Sequence, residues 1–358
     1  MLRDKRLIIA LACILTIVLL VLISSRAWAA LIGLFVLVDL IGLGVYLRRR
    51  GIWGGPRHSG QRKWWIAAAV GLALLILALT LGVRLYTDWL WFDHLGYGQV
   101  FRTQLLTRLL LFLAVSVISS LFLGISWQVA VRGTSGRKGK ADERTTTLPT
   151  RGSILPSLLW ILAGVAGFIF GQAAQGKWMR VLRFLYGAEV GIHDPLFRRD
   201  LGFYLFRLRL LVDLRNALLW LTGIALVGTG LIYLLGLRRR GFPPRVLAHL
   251  SLLGVLFLLV KAWDYRLKIY QLLYSRHGAA FGAGYTDVHA RWPAYAILTW
   301  IVLGCAVLLL VNLWRRRWRL LVAAGATWLI CLLVLGAIYP ALVQAFRVRP
   351  SELAMERP

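Results

Sequence analysis

Asp287 and His289 stand two residues apart in the stretch GAGYTDVHARWPAY, residues 282–295. On an extended segment that spacing projects both side chains from one side of the backbone. The pair could then bind a metal ion, or act as a base and its orienting partner in proton transfer. His193 and Asp194, in HDPLFRRDLGFYLFRL over residues 193–208, could add ligands if the two segments meet. The plainer reading, which we prefer, is that these groups cap helices, turn loops and hydrogen-bond exposed backbone at a membrane surface.

Asp39 is a different kind of feature, because it sits near the middle of an apolar run. A carboxylate at that depth costs about 2.5–3.5 kcal/mol on insertion scales. The twelve Leu, Ile, Val and Phe residues between Leu31 and Leu47 each return roughly 0.3–0.6 kcal/mol, so the segment still inserts. An intramembrane Asp can mark a proton or cation path; the simpler alternative is a neutral, hydrogen-bonded Asp facing neighbouring helices. No HExxH, P-loop, dinucleotide fingerprint or nucleophile elbow is present. Cys13, Cys305 and Cys331 match no zinc spacing and read as packing residues. The expectation is therefore no cofactor and no metal site.

The elements that must position these residues are apolar helices. The chain has 358 residues, 59% hydrophobic and 16% charged, with a mean hydropathy of +0.72. That is too apolar for a soluble domain of this size. A net charge of +29 would suggest nucleic acid in a soluble protein, but here the bases gather at the ends of apolar runs. They read as orientation signals and contacts with anionic headgroups, and no nucleic-acid partner is expected.

A bilayer core about 30 Å thick takes roughly 20 residues of apolar helix to cross. Nine such spans can be drawn: residues 7–23, 27–47, 64–83, 109–131, 154–173, 216–237, 244–263, 294–313 and 320–339. Each must be a helix, since backbone groups cannot stay unpaired in hydrocarbon and the alternating pattern of a barrel is absent. Basic clusters at residues 1–6, 48–63, 132–152, 238–245 and 315–319 fall on one side only if all nine are real. The positive-inside rule then places the N-terminus in the cytoplasm and the C-terminus outside. The N-terminal run reads as an uncleaved signal anchor, because it exceeds the usual length of a signal core and a second span follows at once.

The chain thus reads as an all-α, polytopic transmembrane bundle. Residues 1–47 form a transmembrane hairpin, and 48–131 hold the third and fourth spans with an aromatic outer loop. Residues 132–153 form a basic cytoplasmic loop, and 154–358 hold the fifth to ninth spans with two long outer loops and a short outer tail. Residues 177–185 carry apolar side chains at helical spacing and predict an amphipathic helix on the outer interface. Arg108, at the outer end of the fourth span, is expected to snorkel to the headgroups. The seventh span is the shortest, with an uninterrupted apolar core at residues 246–260 that would rise only about 22 Å.

The outer segments carry the distinctive sequence: DWLWFDHLGYGQVF at residues 88–101, the two stretches above, DYRLKIYQLLYSRHG at 264–278, and the tail YPALVQAFRVRPSELAMERP from Tyr339. Together they resemble a bacterial membrane protein family catalogued as uncharacterised protein family zero-one-eight-two. The resemblance implies a multipass N-terminal membrane region followed by a large extracytoplasmic region, and it supplies no residue of known role. This chain stops at Pro358, just after the ninth span. On that resemblance it is a truncated gene, a fragment or half of a split protein.

Three functions fit in descending order. The first is an anchor or assembly module for an extracytoplasmic domain or protein partner on the outer loops. The second is a transporter or channel using Asp39 and the short seventh span. The third is a membrane enzyme acting on a lipid-linked substrate at the outer leaflet, which requires Asp287, His289, His193 and Asp194 to converge.

Overall fold

The computed structural model describes residues 71, 79, 82–135, 155–236, 244–275 and 282–351. They divide between two compact units, Met1–Leu106 and Thr107–Pro358. Six helices are long and apolar enough to cross a membrane, and no strand occurs among the described residues. The spans expected at residues 109–131, 244–263, 294–313 and 320–339 each fall within one of these helices, and those expected at 154–173 and 216–237 each overlap one of them over most of their length. Residues 7–23 and 27–47, with Asp39, and most of 64–83 lie outside the described residues.

In the first unit, helix α1 covers residues 82–94. It ends where Tyr97 N–H bonds Phe92 O (2.8 Å) and Gly96 N–H bonds Asp93 O (3.0 Å). Gly96 takes φ +77°, the left-handed conformation this helix stop requires.

Helix α2 spans Gly98–Ser135, α3 Leu155–Gln175 and the short α4 Trp178–Tyr186. Helix α5 opens with a π-helical turn at Phe203–Leu208 and continues as Arg209–Gly236. Helix α6 is Pro244–Gln271, α7 is Asp287–Arg315 and α8 is Trp318–Val348. The amphipathic helix expected over residues 177–185 is α4.

In lipid, apolar surface gives helices no reason to associate, so close backbone approach must supply the attraction. Helices α2 and α3 achieve it with small residues. A Cβ on Gly167 would lie 2.6 Å from the Ser116 carbonyl oxygen, and one on Gly171 would lie 2.7 Å from that of Phe112. Gly167 and Gly171 form a GxxxG stripe facing Ser116 and Ser120, and Trp160 covers Gly124.

The ladder of contacts from α5 to α8 shows antiparallel neighbours. Arg215 pairs with Asp264 at one end of α5 and α6, while the Tyr233 hydroxyl meets His249 Nδ1 (2.8 Å) at the other. Asn312 Nδ2 donates to Ser251 Oγ (2.9 Å) across α7 and α6, and its Oδ1 accepts the Arg317 N–H (2.8 Å) in the tight turn into α8. Leu298, Val302, Cys305, Ala306 and Leu309 of α7 pack on Val255, Leu258 and Ala262 of α6. Cys305 and Cys331 are free thiols within this apolar cluster.

Helix α6 is the centre of the bundle. Of its most apolar stretch 44% is buried, against 6% for α8, whose Leu329, Ile330, Leu333 and Ile338 face outward. Such an apolar exterior belongs in lipid. The expected short seventh span is an unbroken 28-residue helix. The stretch expected as an outer loop from residue 264 remains helical through Tyr274. The reason is that helix and hydropathy end in different places: the backbone ladder continues past Lys261 because its charges find partners on the same face.

Candidate functional site

Those partners form the most highly charged buried site in the described residues. Lys261, Asp264 and Lys268 recur at i, i+3 and i+7 on α6, so they share a face. Asp264 is 2% exposed. Its Oδ1 accepts Arg215 Nη1 of α5 (2.5 Å) and its Oδ2 accepts Lys261 Nζ (2.5 Å), with Lys268 Nζ at 3.3 Å. Three cations share one carboxylate, so the cluster holds two more positive charges than negative ones.

Aromatic rings wall the cluster. Tyr265 is fully buried and stacks on Tyr295 of α7 at 6.1 Å, and its hydroxyl accepts Trp328 Nε1 of α8 at 3.1 Å. Lys261 lies 5.2 Å from the Tyr265 ring centre, and Lys268 lies 5.5 and 5.8 Å from those of Tyr265 and Tyr295. Ring faces carry negative potential, so they soften the excess positive charge. Arg215 Nε is buried without a hydrogen-bond partner among the described residues.

A second ion group ties α4 to the same end of α5. Asp213 pairs with Lys177 (3.2 Å) and Arg180. Arg108 of α2 sits 5.1 Å over the Trp178 ring, so its cation meets an aromatic face.

Of the residues singled out by sequence, His193, Asp194, Asp287 and His289 are among the described residues. Asp194 is buried and accepts the N–H groups of Leu196 (3.2 Å) and Phe197 (2.7 Å) and the Tyr204 hydroxyl (3.3 Å), which is the work of a turn organiser. His193 is exposed and forms an isolated bridge to Asp200. Asp200 accepts the N–H groups of Val190 (3.1 Å), Gly191 (2.7 Å) and Gly202 (2.6 Å). The Val190 hydrogen bond, followed by those of Gly202 and Gly191, holds its carboxyl below the ordinary value against a partial desolvation penalty.

Asp287 and His289 do not lie on an extended segment. They occupy a π-helical turn, Asp287–Arg291, which sends them to different environments. Asp287 is buried and takes Arg291 Nη1 at 2.6 Å. His289 is exposed, stacks on Tyr285 at 4.1 Å and places Nδ1 3.1 Å from the Tyr285 carbonyl oxygen.

The two segments do meet, through rings rather than ligands: Phe197 packs edge-on against Trp292 (5.2 Å) and Tyr270 (5.5 Å). A groove of about 310 Å³ is lined by His193, Asp194, Tyr204, Leu273 and Tyr274 among others, but by neither Asp287 nor His289. Among the described residues no group of three or more His, Cys, Asp or Glu is placed to hold a metal ion.

Sequence reasoning passed over the Asp264 cluster. The available signal was the KxxDxxxK spacing, with Asp264 the sole acid between Asp213 and Asp287.

The model of the uncharacterised protein family UPF0182 matches residues 65–358, most of the chain. A UPF0182 protein of Pelotomaculum thermopropionicum is 36% identical over 318 residues, covering 83% of this chain and 35% of the relative. One of Moorella thermoacetica is 34% identical over 309 residues, 83% of this chain and 34% of its own. One of Cupriavidus necator is 37% identical over 316 residues, 84% and 34% respectively. The match thus spans about a third of the length of these curated relatives. No solved structure matches.

Proposed function

The chain belongs to the uncharacterised protein family UPF0182, and from that premise we propose that it is a multipass membrane module of the bacterial cell envelope that anchors and orients an extracytoplasmic segment or partner. In this reading nine spans cross the inner membrane, the N-terminus is cytoplasmic, and the aromatic ends of α4 to α8 face outward. The basic helix ends and turns, with Arg132, Arg245, Arg315, Arg316, Arg317 and Arg319, face the cytoplasm.

The observation that carries the reading is the cross-linking of the aromatic rim. Asp213 holds α4 to α5, Phe197 joins the 187–202 loop to α7, and Thr286 Oγ1 donates to Gln344 of α8. Arg347 of α8 lies 5.6 Å over the Tyr285 ring. A rim fixed by that many contacts between helices suits a docking platform, which must be preorganised to bind without a large ordering cost. The greater length of the relatives supports the presence of something to dock.

The test is photocrosslinking in intact cells from a reactive residue at Tyr186, which is 82% exposed at the end of α4. The reading expects a discrete protein adduct that weakens when exposed His289 is changed to Glu. Lipid adducts alone, or an adduct unaffected by His289→Glu and by Tyr285→Ala, would count against it.

A further inference from the structure

We propose that Arg215, Lys261 and Lys268 form a binding site for a phosphate group, presented by a membrane lipid or free in solution. Three observations lead there. The site holds two more cations than acids in a largely buried setting, where unpaired charge is costly. Arg215 has a side chain only 7% exposed, and its Nε has no partner among the described residues. A buried guanidinium N–H left unsatisfied calls for an acceptor, and a phosphate oxygen is the group its planar fork fits best. Finally, Lys268 is 35% exposed beside buried Asp264, so the cluster has an open side.

Depth along the helices favours a lipid as the source. Lys261 and Lys268 stand about 26 and 36 Å along α6 from Pro244, and Arg215 stands about 32 Å from the Gly236 end of α5. Against a hydrocarbon core of about 30 Å, that is the level where lipid phosphates begin. Tyr265 and Tyr295 back the Lys268 cation with their ring faces, and Asp264 would fix the cations in place without neutralising them all.

The test uses the full chain purified in dodecyl maltoside, a detergent without phosphate. Thermal unfolding is followed while dioctanoyl phosphatidylglycerol, dioctanoylglycerol or inorganic phosphate is added. We expect phosphatidylglycerol to raise the midpoint in a saturable way and dioctanoylglycerol to leave it unchanged. Lys268→Gln should weaken the apparent affinity about tenfold, the scale of one lost charge-assisted hydrogen bond. If inorganic phosphate alone reproduces the shift and Lys268→Gln weakens it, the site stands and its ligand is the free anion. Arg215→Gln should abolish the effect; should that variant fail to fold, Lys268→Gln, whose contact with Asp264 is the longest of the three, decides the matter. No shift from either phosphate source, or a shift equal in wild type and Lys268→Gln, overturns the proposal.

Discussion

Arg215 on α5 and Asp264 on α6 form an ion pair of 2.5 Å in which both side chains are more than nine-tenths buried. Breaking a buried pair by removing one partner leaves an uncompensated charge, typically at about 3–5 kcal/mol. Asp264→Asn strands three cations at once, so it should lower thermal stability by that order or prevent accumulation in the membrane. Surface pairs show no such cost. A melting midpoint for Asp264→Asn within a degree of wild type would mean that the cluster is not formed in the protein.

The α2–α3 interface makes a second prediction. Gly167→Ala places a methyl against the Ser116 carbonyl oxygen and should destabilise by about 1–3 kcal/mol through overpacking. Gly164, three residues earlier on the same helix, has nothing within 4 Å of its would-be Cβ. Gly164→Ala should therefore be neutral or slightly stabilising, within about 1 kcal/mol. Denaturation of the two variants side by side checks the register, and equal effects would contradict it.

Legibility from sequence follows the physics of each feature. Hydrocarbon selects for apolar length, so the six spans from residue 109 onward could be read directly from composition. Hydropathy cannot show where a helix stops once its charges are paired internally, which is why residues 264–274 read as an outer loop although the helix continues. The same blindness hid the site: Lys261, Asp264 and Lys268 gain meaning only when Arg215, far away in the chain, packs beside them. Asp287 and His289 were conspicuous as residue types, but their shared-face spacing required an extended backbone, and the segment is π-helical.

Asp200 gives a pH-dependent prediction. Its folded value lies below the ordinary one, so the hydrogen bonds it accepts contribute stability that is fully present above about pH 4 and lost as the pH falls through the folded value. Amide exchange at Val190, Gly191 and Gly202 should accelerate together on acidification beyond the intrinsic trend. Asp200→Asn should exchange fast throughout and show no such acid step. A loop in wild type that stays equally protected to pH 2 would refute the assignment.

Asn312 is fully buried and bridges α6, α7 and the turn into α8. Asn312→Leu removes both hydrogen bonds and leaves the Arg317 N–H and Ser251 Oγ to find other partners, at about 1–3 kcal/mol for a stranded buried group. Asn312→Asp offers an acceptor to both the Arg317 N–H and the Ser251 hydroxyl, but an ionised carboxylate at this fully buried position carries a desolvation cost, so it should not restore wild-type stability. Thermal midpoints of both variants below that of wild type would support this; a Leu variant as stable as wild type would not.

The claim on which the functional reading rests is that the aromatic rim faces out of the cell and the arginine turns face in. Single cysteines at Tyr186, on the rim, and at Arg316, in the turn between α7 and α8, introduced with Cys13, Cys305 and Cys331 replaced by Ala, can be probed with a membrane-impermeant maleimide. The account predicts labelling of Tyr186→Cys in intact cells and of Arg316→Cys only after lysis. Labelling of Arg316→Cys in intact cells, with Tyr186→Cys protected until lysis, would contradict it.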